Sequence, residues 1–243
     1  MLARVIVNGA NGKMGSLACE TLDNHKQFEL VAKLTKQDNL GQTIRDTNAQ
    51  IVVDLTRADC VYENSLTIIN HGARPVIGTS GLLQAQIKEL AKRCEETQIG
   101  GIIAPNFSIG AVLMMLFAVR ASEYFSEVEI IEGHHQQKLD APSGTALKTA
   151  EMIAAARKNP KNKLPIKELI PGARGGSHHD INIHSLRLPG LLARQEIMFG
   201  SVGETLSIIH NSIDRHCFMP GIVLACQKVL ELNTLVYGLE HLL

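Results

Sequence analysis

Through the first hundred residues, short β-branched apolar runs alternate with segments whose apolar positions recur at helical spacing. Residues 4–7, 28–34, 50–55 (QIVVDL), 75–78 (PVIG) and 101–104 (GIIA) read as strands. A stretch ending at Leu22 and the segments 64–71 and 83–97 read as helices. Strand and helix in strict turn imply right-handed βαβ units and a parallel sheet. After Pro105 the pattern changes: a long apolar helix over 108–125 leads into EVEIIE at 127–132, a strand with one buried face. A helix beginning at Pro142 runs past Ile153, and 157–167, rich in Lys, Asn and Pro, reads as a solvated loop. Strand patterns at 180–188, 191–199 and 205–211 with glycines between them suit an antiparallel sheet. A helix over 221–232 and a short apolar tail close the chain. The expected fold class is α/β: a parallel-sheet domain over 1–108, an α+β domain with a mixed or antiparallel sheet over 109–215, and a C-terminal helical segment over 216–243.

Composition narrows the function classes. With 45% apolar and 20% charged residues the chain is an ordinary globular protein. Its formal net charge of zero leaves no basic footprint for nucleic acid. Cys19, Cys60, Cys94, Cys217 and Cys226 are scattered and odd in number, which suits reduced thiols rather than a disulfide framework or a zinc knuckle. The first residues carry no signal-peptide pattern. The longest apolar stretch, 109–119, is shorter than the roughly 20 residues a bilayer demands. A cytoplasmic protein with neither membrane nor nucleic-acid partners is expected. Met114, Met115 and Phe117 are expected in the core, and Cys19 is expected to pack rather than react.

Candidate chemistry begins at Val5-Ile-Val-Asn-Gly9-Ala10-Asn11-Gly12-Lys13-Met14-Gly15, which follows a strand and opens a helix. That is the context in which a glycine fingerprint marks a Rossmann-like dinucleotide site. One glycine permits the tight turn, another lets the backbone approach a pyrophosphate, and the third lets helix pack on strand. The spacing is G-x-x-G-x-x-G, a variant of the commoner GxGxxG, and a purely structural tight turn is the alternative. An acid is expected about 20 positions on, to accept from the adenine-side ribose. That count lands on Thr35, followed by Lys36, with no carboxylate before Asp38. A lysine there suits a 2′-phosphate, so NADPH, or both NADPH and NADH, is the expected cofactor.

The second constellation is Glu129-Ile-Ile-Glu-Gly-His134-His135-Gln-Gln-Lys138-Leu-Asp-Ala-Pro142-Ser-Gly144-Thr145-Ala. A strand delivers two histidines and a lysine into a polar loop, and a helix then starts at Pro142, proline being favoured at the first helical position. The Gly144 and Thr145 amides would then be unpaired donors at a positive helix end, suited to a carboxylate. Three cation-capable groups beside a helix terminus describe a pocket for a small dianion.

These segments resemble the dihydrodipicolinate reductase family. Its signature E-[IL]-x-E-x-H-H-x-x-K-x-D-x-P-S-G-T-A is matched at each fixed place. VNGANGKMG, the DLTR of 54–57, the GTSG of 78–81, the APNFSIG of 104–110, IHSLRLPG and GETLSIIHNS follow in the family's order, so the likeness covers nearly the whole chain. The resemblance implies NAD(P)H-dependent reduction of 4-hydroxy-tetrahydrodipicolinate, by way of its dehydrated cyclic imine, in diaminopimelate and lysine biosynthesis. It implies His134 as proton donor or acceptor, Lys138 as the second proton donor, and His135, Gly144 and Thr145 as substrate-binding residues. Gly9 to Gly15, Thr35, Lys36, Gly78, Thr79, Ser80, Ala104, Pro105, Asn106 and Phe107 match the cofactor positions. It also implies that residues 109–215 bind substrate and assemble a homotetramer, and that the C-terminal helix returns to the cofactor domain.

Where the family often has V-G-E-H, this chain has Leu192-Ala-Arg-Gln195, positions read as lying outside the site. Adjacent histidines at 134 and 135 point to different sides and no HExxH accompanies them, so no metal is expected. His178-His179-Asp180 reads as a solvated loop. Two other functions fit part of the chain. A different two-domain NAD(P)-dependent dehydrogenase would explain the first hundred residues but not HHxxKxDAPSGTA. A non-catalytic dinucleotide sensor would have no use for the proton-transfer groups, and it would need a basic patch or DNA-binding helix pair that is missing.

Overall fold

The structure, a computed structural model, describes residues 2–157 and 166–243. The loop expected over 157–167 therefore lies, except at its ends, outside the described residues. The chain divides into two compact units, Met1–Ile109 with Arg215–Leu243, and Gly110–Asp214.

The first unit is built on a six-stranded parallel sheet. Its strands are β1 (Ala3–Asn8), β2 (Phe28–Leu34), β3 (Ile51–Asp54), β4 (Arg74–Ile77), β5 (Gly101–Ile103) and β11 (Leu235–Tyr237), in the spatial order β11-β5-β4-β3-β1-β2. Helices α1 (Lys13–Asp23), α2 (Leu40–Thr47), α3 (Val61–Asn70) and α4 (Gln84–Thr97) join the first five strands. The connection from β1 leads outward to β2 on one side and that from β3 leads to β4 on the other, so a topological switch point falls between β1 and β3. Because helices cover both faces, the inner strands β1, β3, β4 and β5 are buried almost without alternation, whereas edge strand β2 exposes Glu29 and Lys33. Ile6, Val52, Ile77 and Ile103 cluster with Ile44, Ile68 and Leu90 of α2, α3 and α4. Val5, Val7, Val53 and Val76, on the opposite pleat, are fully buried as well. There α1 packs against α7 (Met219–Lys228). The closing tail, read from sequence only as apolar, is the edge strand β11, parallel to β5. The short helix α2 also escaped the apolar pattern, since Gly41 and Ile44 are its only buried residues.

The second unit carries a five-stranded mixed sheet, in the order β10-β9-β6-β8-β7. These are β6 (Glu127–His134), β7 (Gly176–His178), β8 (Ile181–Arg187), β9 (Ala193–Ser201) and β10 (Glu204–Ser212), with α5 (Ile109–Ser122) and α6 (Gly144–Ala156). The sheet is mixed, one of the two forms expected. β8 runs parallel to β6, because the chain crosses over through α6 between them. Val128, Ile130, Ile183, Ile197 and Phe199 form the buried face, while Met198, Leu206 and Ile209 of the same sheet are exposed. In α5 the buried stripe is Ala111, Val112, Met114, Met115, Ala118 and Ser122. Phe117 lies off that stripe and is 57% exposed, contrary to its expected place in the core. No helix among the described residues is long and apolar enough to cross a membrane.

Candidate active site

In the first unit, the predicted cofactor residues follow the C-terminal ends of the parallel strands, the edge where doubly wound sheets bind ligands. Gly9 to Gly15 follow β1, Thr35 and Lys36 follow β2, Gly78 to Ser80 follow β4, and Ala104 to Phe107 follow β5. Gly9 has φ +89, a backbone shape that disfavours any side chain, and its amide and that of Ala10 both donate to Leu34 O at 2.9 Å. A Cβ on Gly15 would collide with the Gly9 carbonyl, so the first and third glycines are in backbone contact. The N-cap of α1 is Gly12, which has no side chain to satisfy the helix's first amides. Asn11, Gly12 and Lys13 are exposed around that terminus. The arrangement fits a pyrophosphate.

Sequence reasoning missed Asp54, the last residue of β3. Its carboxylate is fully buried at the switch point. It accepts from Asn8 Nδ2 at 2.9 Å, Thr56 Oγ1 at 2.7 Å, Asn64 Nδ2 at 2.9 Å and Thr79 Oγ1 at 2.7 Å. One carboxylate thus fixes the loops after β1, β3 and β4 together. The signal in the sequence was an aspartate ending an otherwise apolar run, QIVVDL. Thr35, standing where an acid was expected, is held by Asp38, whose carboxylate accepts from Thr35 N at 2.7 Å and Oγ1 at 2.8 Å. Those hydrogen bonds, the backbone one foremost, hold the Asp38 pKa below the usual carboxylate range. Lys36 is exposed and makes no ion pair among the described residues, whereas Lys33 pairs with Asp23 at 3.7 Å. Cys19 is buried, and burial pushes its thiol pKa up despite nearby Lys33, as expected of a packing residue.

In the second unit, the segment 134–145 is the connection from β6 to α6, with His134 the last strand residue rather than part of the loop. The helix starts at Gly144, two residues after the expected Pro142. Ser143, with extended ψ 151, is the N-cap, and its Oγ accepts from Ala146 N at 3.2 Å. A serine side chain outcompetes the preference of proline for the first helical turn. Gly144 is then the first helical residue, and a Cβ there would meet nothing within 4 Å. Its amide has no acceptor within the helix, by geometry alone.

The proton-transfer candidates are wired to a buried acid. Glu132, two residues before His134 on the same strand face, is fully buried and accepts from His134 Nδ1 at 2.6 Å. Arg187, opposite His134 on β8, grips both Glu132 oxygens at 2.9 and 3.1 Å. Burial alone would raise the Glu132 pKa. Hydrogen bonds from His134, Arg187 and Ser185, with the Arg187 charge, outweigh it and bring the pKa down to about 2. The same guanidinium donates to Asp140 O at 2.6 Å, so it also anchors the loop carrying Lys138. Lys138 Nζ rests on both Asp140 oxygens at 2.8 Å, which, with weaker contributions, lowers the Asp140 pKa. His135 Nδ1 is buried without a hydrogen-bond partner among the described residues.

Gln195 corrects another expectation. It lies opposite Glu132 on β9, is 4% exposed, and donates to Thr149 Oγ1 of α6 at 2.8 Å. The Leu192–Gln195 departure thus reaches a strand position directly beside the buried acid, because inward and outward residues alternate along β9.

A glycine turn at the switch point of a parallel sheet, followed by a mixed-sheet unit with an acid-supported histidine and a lysine, defines a two-unit dinucleotide-dependent oxidoreductase. The chain belongs to the dihydrodipicolinate reductase family: residues 3–107 match the family's N-terminus and residues 110–243 its C-terminus. Its activity is that of an oxidoreductase of lysine and diaminopimelate biosynthesis. It is 85% identical, over all of both chains, to the 4-hydroxy-tetrahydrodipicolinate reductase of Legionella pneumophila (strain Corby). Identity is 53%, again over both full lengths, to that of Coxiella burnetii (strain RSA 493 / Nine Mile phase I). Among solved structures it is similar to the dipicolinate-bound dihydrodipicolinate reductase from Paenisporosarcina sp. TG-14. The TM-score is 0.91 and the identity 42%, with all of each chain covered.

Proposed function

We propose that the chain reduces 4-hydroxy-tetrahydrodipicolinate, after its loss of water to the cyclic imine, to tetrahydrodipicolinate, with the residues of 134–145 handling the dicarboxylate and its protons. The observation that carries this reading is the Glu132–His134 hydrogen bond, shared through Arg187 with the loop that bears Lys138.

Gly9 to Gly15, Thr35, Lys36, Gly78 to Ser80 and Ala104 to Phe107 would hold NADPH or NADH, whose reduced nicotinamide supplies the hydride. Lys36, unpaired and following β2, favours a 2′-phosphate. In the second unit, His135, Gly144 and Thr145 bind a substrate carboxylate, the first through a ring nitrogen and the other two through the start of α6. Glu132 accepts the Nδ1 hydrogen of His134, which fixes the ring so that Nε2 faces the substrate. As hydride reaches the ring carbon, negative charge spreads through the imine system. His134 and Lys138 stabilise that charge and deliver the proton that completes the reduction. Interactions that strengthen as charge develops are those that lower the barrier. Glu132 and Arg187 touch no substrate in this scheme; they position His134 and the Lys138 loop. The exposed apolar residues Met198 and Ile209, which register places together on the open sheet face, support a homotetramer assembled through the second unit.

The test is direct. Substrate generated in place by the upstream synthase from pyruvate and aspartate semialdehyde is offered with NADPH or NADH. The proposal expects cofactor oxidation that depends on this protein; no oxidation with either cofactor contradicts it.

A further inference from the structure

We propose that Glu151, His178 and His179 form a binding site for a divalent transition-metal ion of the zinc type. Glu151 lies on α6, His178 ends β7, and His179 opens the turn into β8, so the fold joins residues 27 positions apart. One ligand atom from each lies within 4.8 Å of the other two. Glu151 Oε1 and His178 Nε2 are 3.4 Å apart. Zinc bonds to nitrogen and oxygen are about 2.0–2.2 Å, which places two ligands of a tetrahedral ion about 3.4 Å from each other. One edge of the tetrahedron is therefore already set. The imidazoles of His178 and His179 stand edge to face with centroids 4.4 Å apart, so turning the His179 side chain is the main movement needed to complete the set.

The turn supplies a second observation. β7 and β8 pair antiparallel with His178 opposite Ile181, leaving His179 and Asp180 as a two-residue hairpin loop. Both are left-handed, with φ +49 and +60. Such loops favour Asn and Gly, so an imidazole at the first position is an uncommon choice there. A ligating role gives that ring a reason to be there. Two imidazoles and one carboxylate suit zinc, nickel or copper, whereas magnesium and calcium select oxygen. Glu151 and His178 side chains are both partly open to solvent, which gives an ion its way in. Bound, the ion would tie α6, whose first turn holds Gly144 and Thr145, to the β7–β8 hairpin.

The experiment is equilibrium dialysis of the full chain, kept reduced, against zinc chloride, with parallel melting curves. The variants are Glu151→Gln, His178→Gln and His179→Asn; the last keeps a residue that tolerates the left-handed turn and so protects folding. The wild type is expected to bind a single tight zinc ion and to melt at higher temperature with it. Each variant is expected to lose more than about 100-fold in affinity, since losing a mere outer-shell partner costs roughly 10–100-fold. Zinc binding by His179→Asn equal to wild type, no tight zinc binding by the wild type, or equal binding of magnesium chloride would each overturn the proposal.

Discussion

The first unit makes its site mostly from backbone, and the second makes its site from charged side chains. Around β1, what matters at Gly9 and Gly15 is the missing Cβ, and the helix end at Gly12 offers amides rather than a side chain. The one buried charge there, Asp54, faces hydroxyls and amides and holds loops in place. Around β6 the order is reversed. Glu132, Arg187, His134, Asp140 and Lys138 form a continuous chain of charge-assisted contacts. Gly144, by contrast, has open space around it. Under the proposed function, a dinucleotide used by many enzymes would be met by shape and helix polarity, and a small dianion undergoing chemistry by groups able to move protons.

The largest expected effect falls on the side-chain site. His134→Ala or Lys138→Ala should lower kcat by roughly 10²–10⁴, as loss of a general acid does, while NADPH affinity stays at the wild-type value. Steady-state kinetics beside a cofactor titration checks both halves, and near-wild-type turnover in both variants would show the roles to be misassigned. Next comes Glu132→Gln, which leaves Arg187 facing a neutral amide and should cost about 3–5 kcal/mol of stability, as breaking a buried ion pair does. Its pH signature has a definite sign. The folded pKa of about 2 lies below the ordinary 4.5, so the unfolded chain binds more protons between them. This contribution is complete above about pH 4.5 and lost as pH falls through about 2. Denaturant melts across that window should flatten in the variant; an unchanged acid limb would contradict the assignment.

Smaller effects sharpen the contrast further. Gly15→Ala forces a Cβ onto the Gly9 carbonyl and should cost about 1–3 kcal/mol, as overpacking does, with weakened dinucleotide binding. Gly144→Ala, with nothing within 4 Å, should leave stability within about 0.5 kcal/mol of wild type. Equal destabilisation by the two, read from thermal melts, would erase the distinction between backbone and side-chain sites. Smallest of all, Lys36→Ala should weaken NADPH by about 2–5-fold more than NADH, the scale of one exposed ion pair. Equal losses for both cofactors would remove the 2′-phosphate reading.

Much of this was legible because local pattern and tertiary demand agreed. The βαβ alternation marks strands buried on both faces, and the two glycine- and histidine-bearing segments are contiguous stretches. What stayed hidden depends on non-local pairing. Nothing in LVY at 235–237 says that it joins β5. The direction of β8 follows from a crossover, not from its own alternation. Gln195 and Glu132 become neighbours only through strand register, and Arg187 reaches Glu132 only because β8 lies beside β6. The misplaced helix start at Pro142 is of another kind. Two local rules competed, and the serine cap won over the proline preference.

The central claim is that positive charge gathered on the β6–α6 connection holds a doubly negative ring. Calorimetric titration of dipicolinate into NADPH-saturated wild type and Lys138→Ala tests it most directly. The account predicts more than a tenfold loss of dipicolinate affinity in the variant, about 1.4 kcal/mol or more, with NADPH affinity unchanged. Dipicolinate binding to the variant as tightly as to the wild type would contradict it.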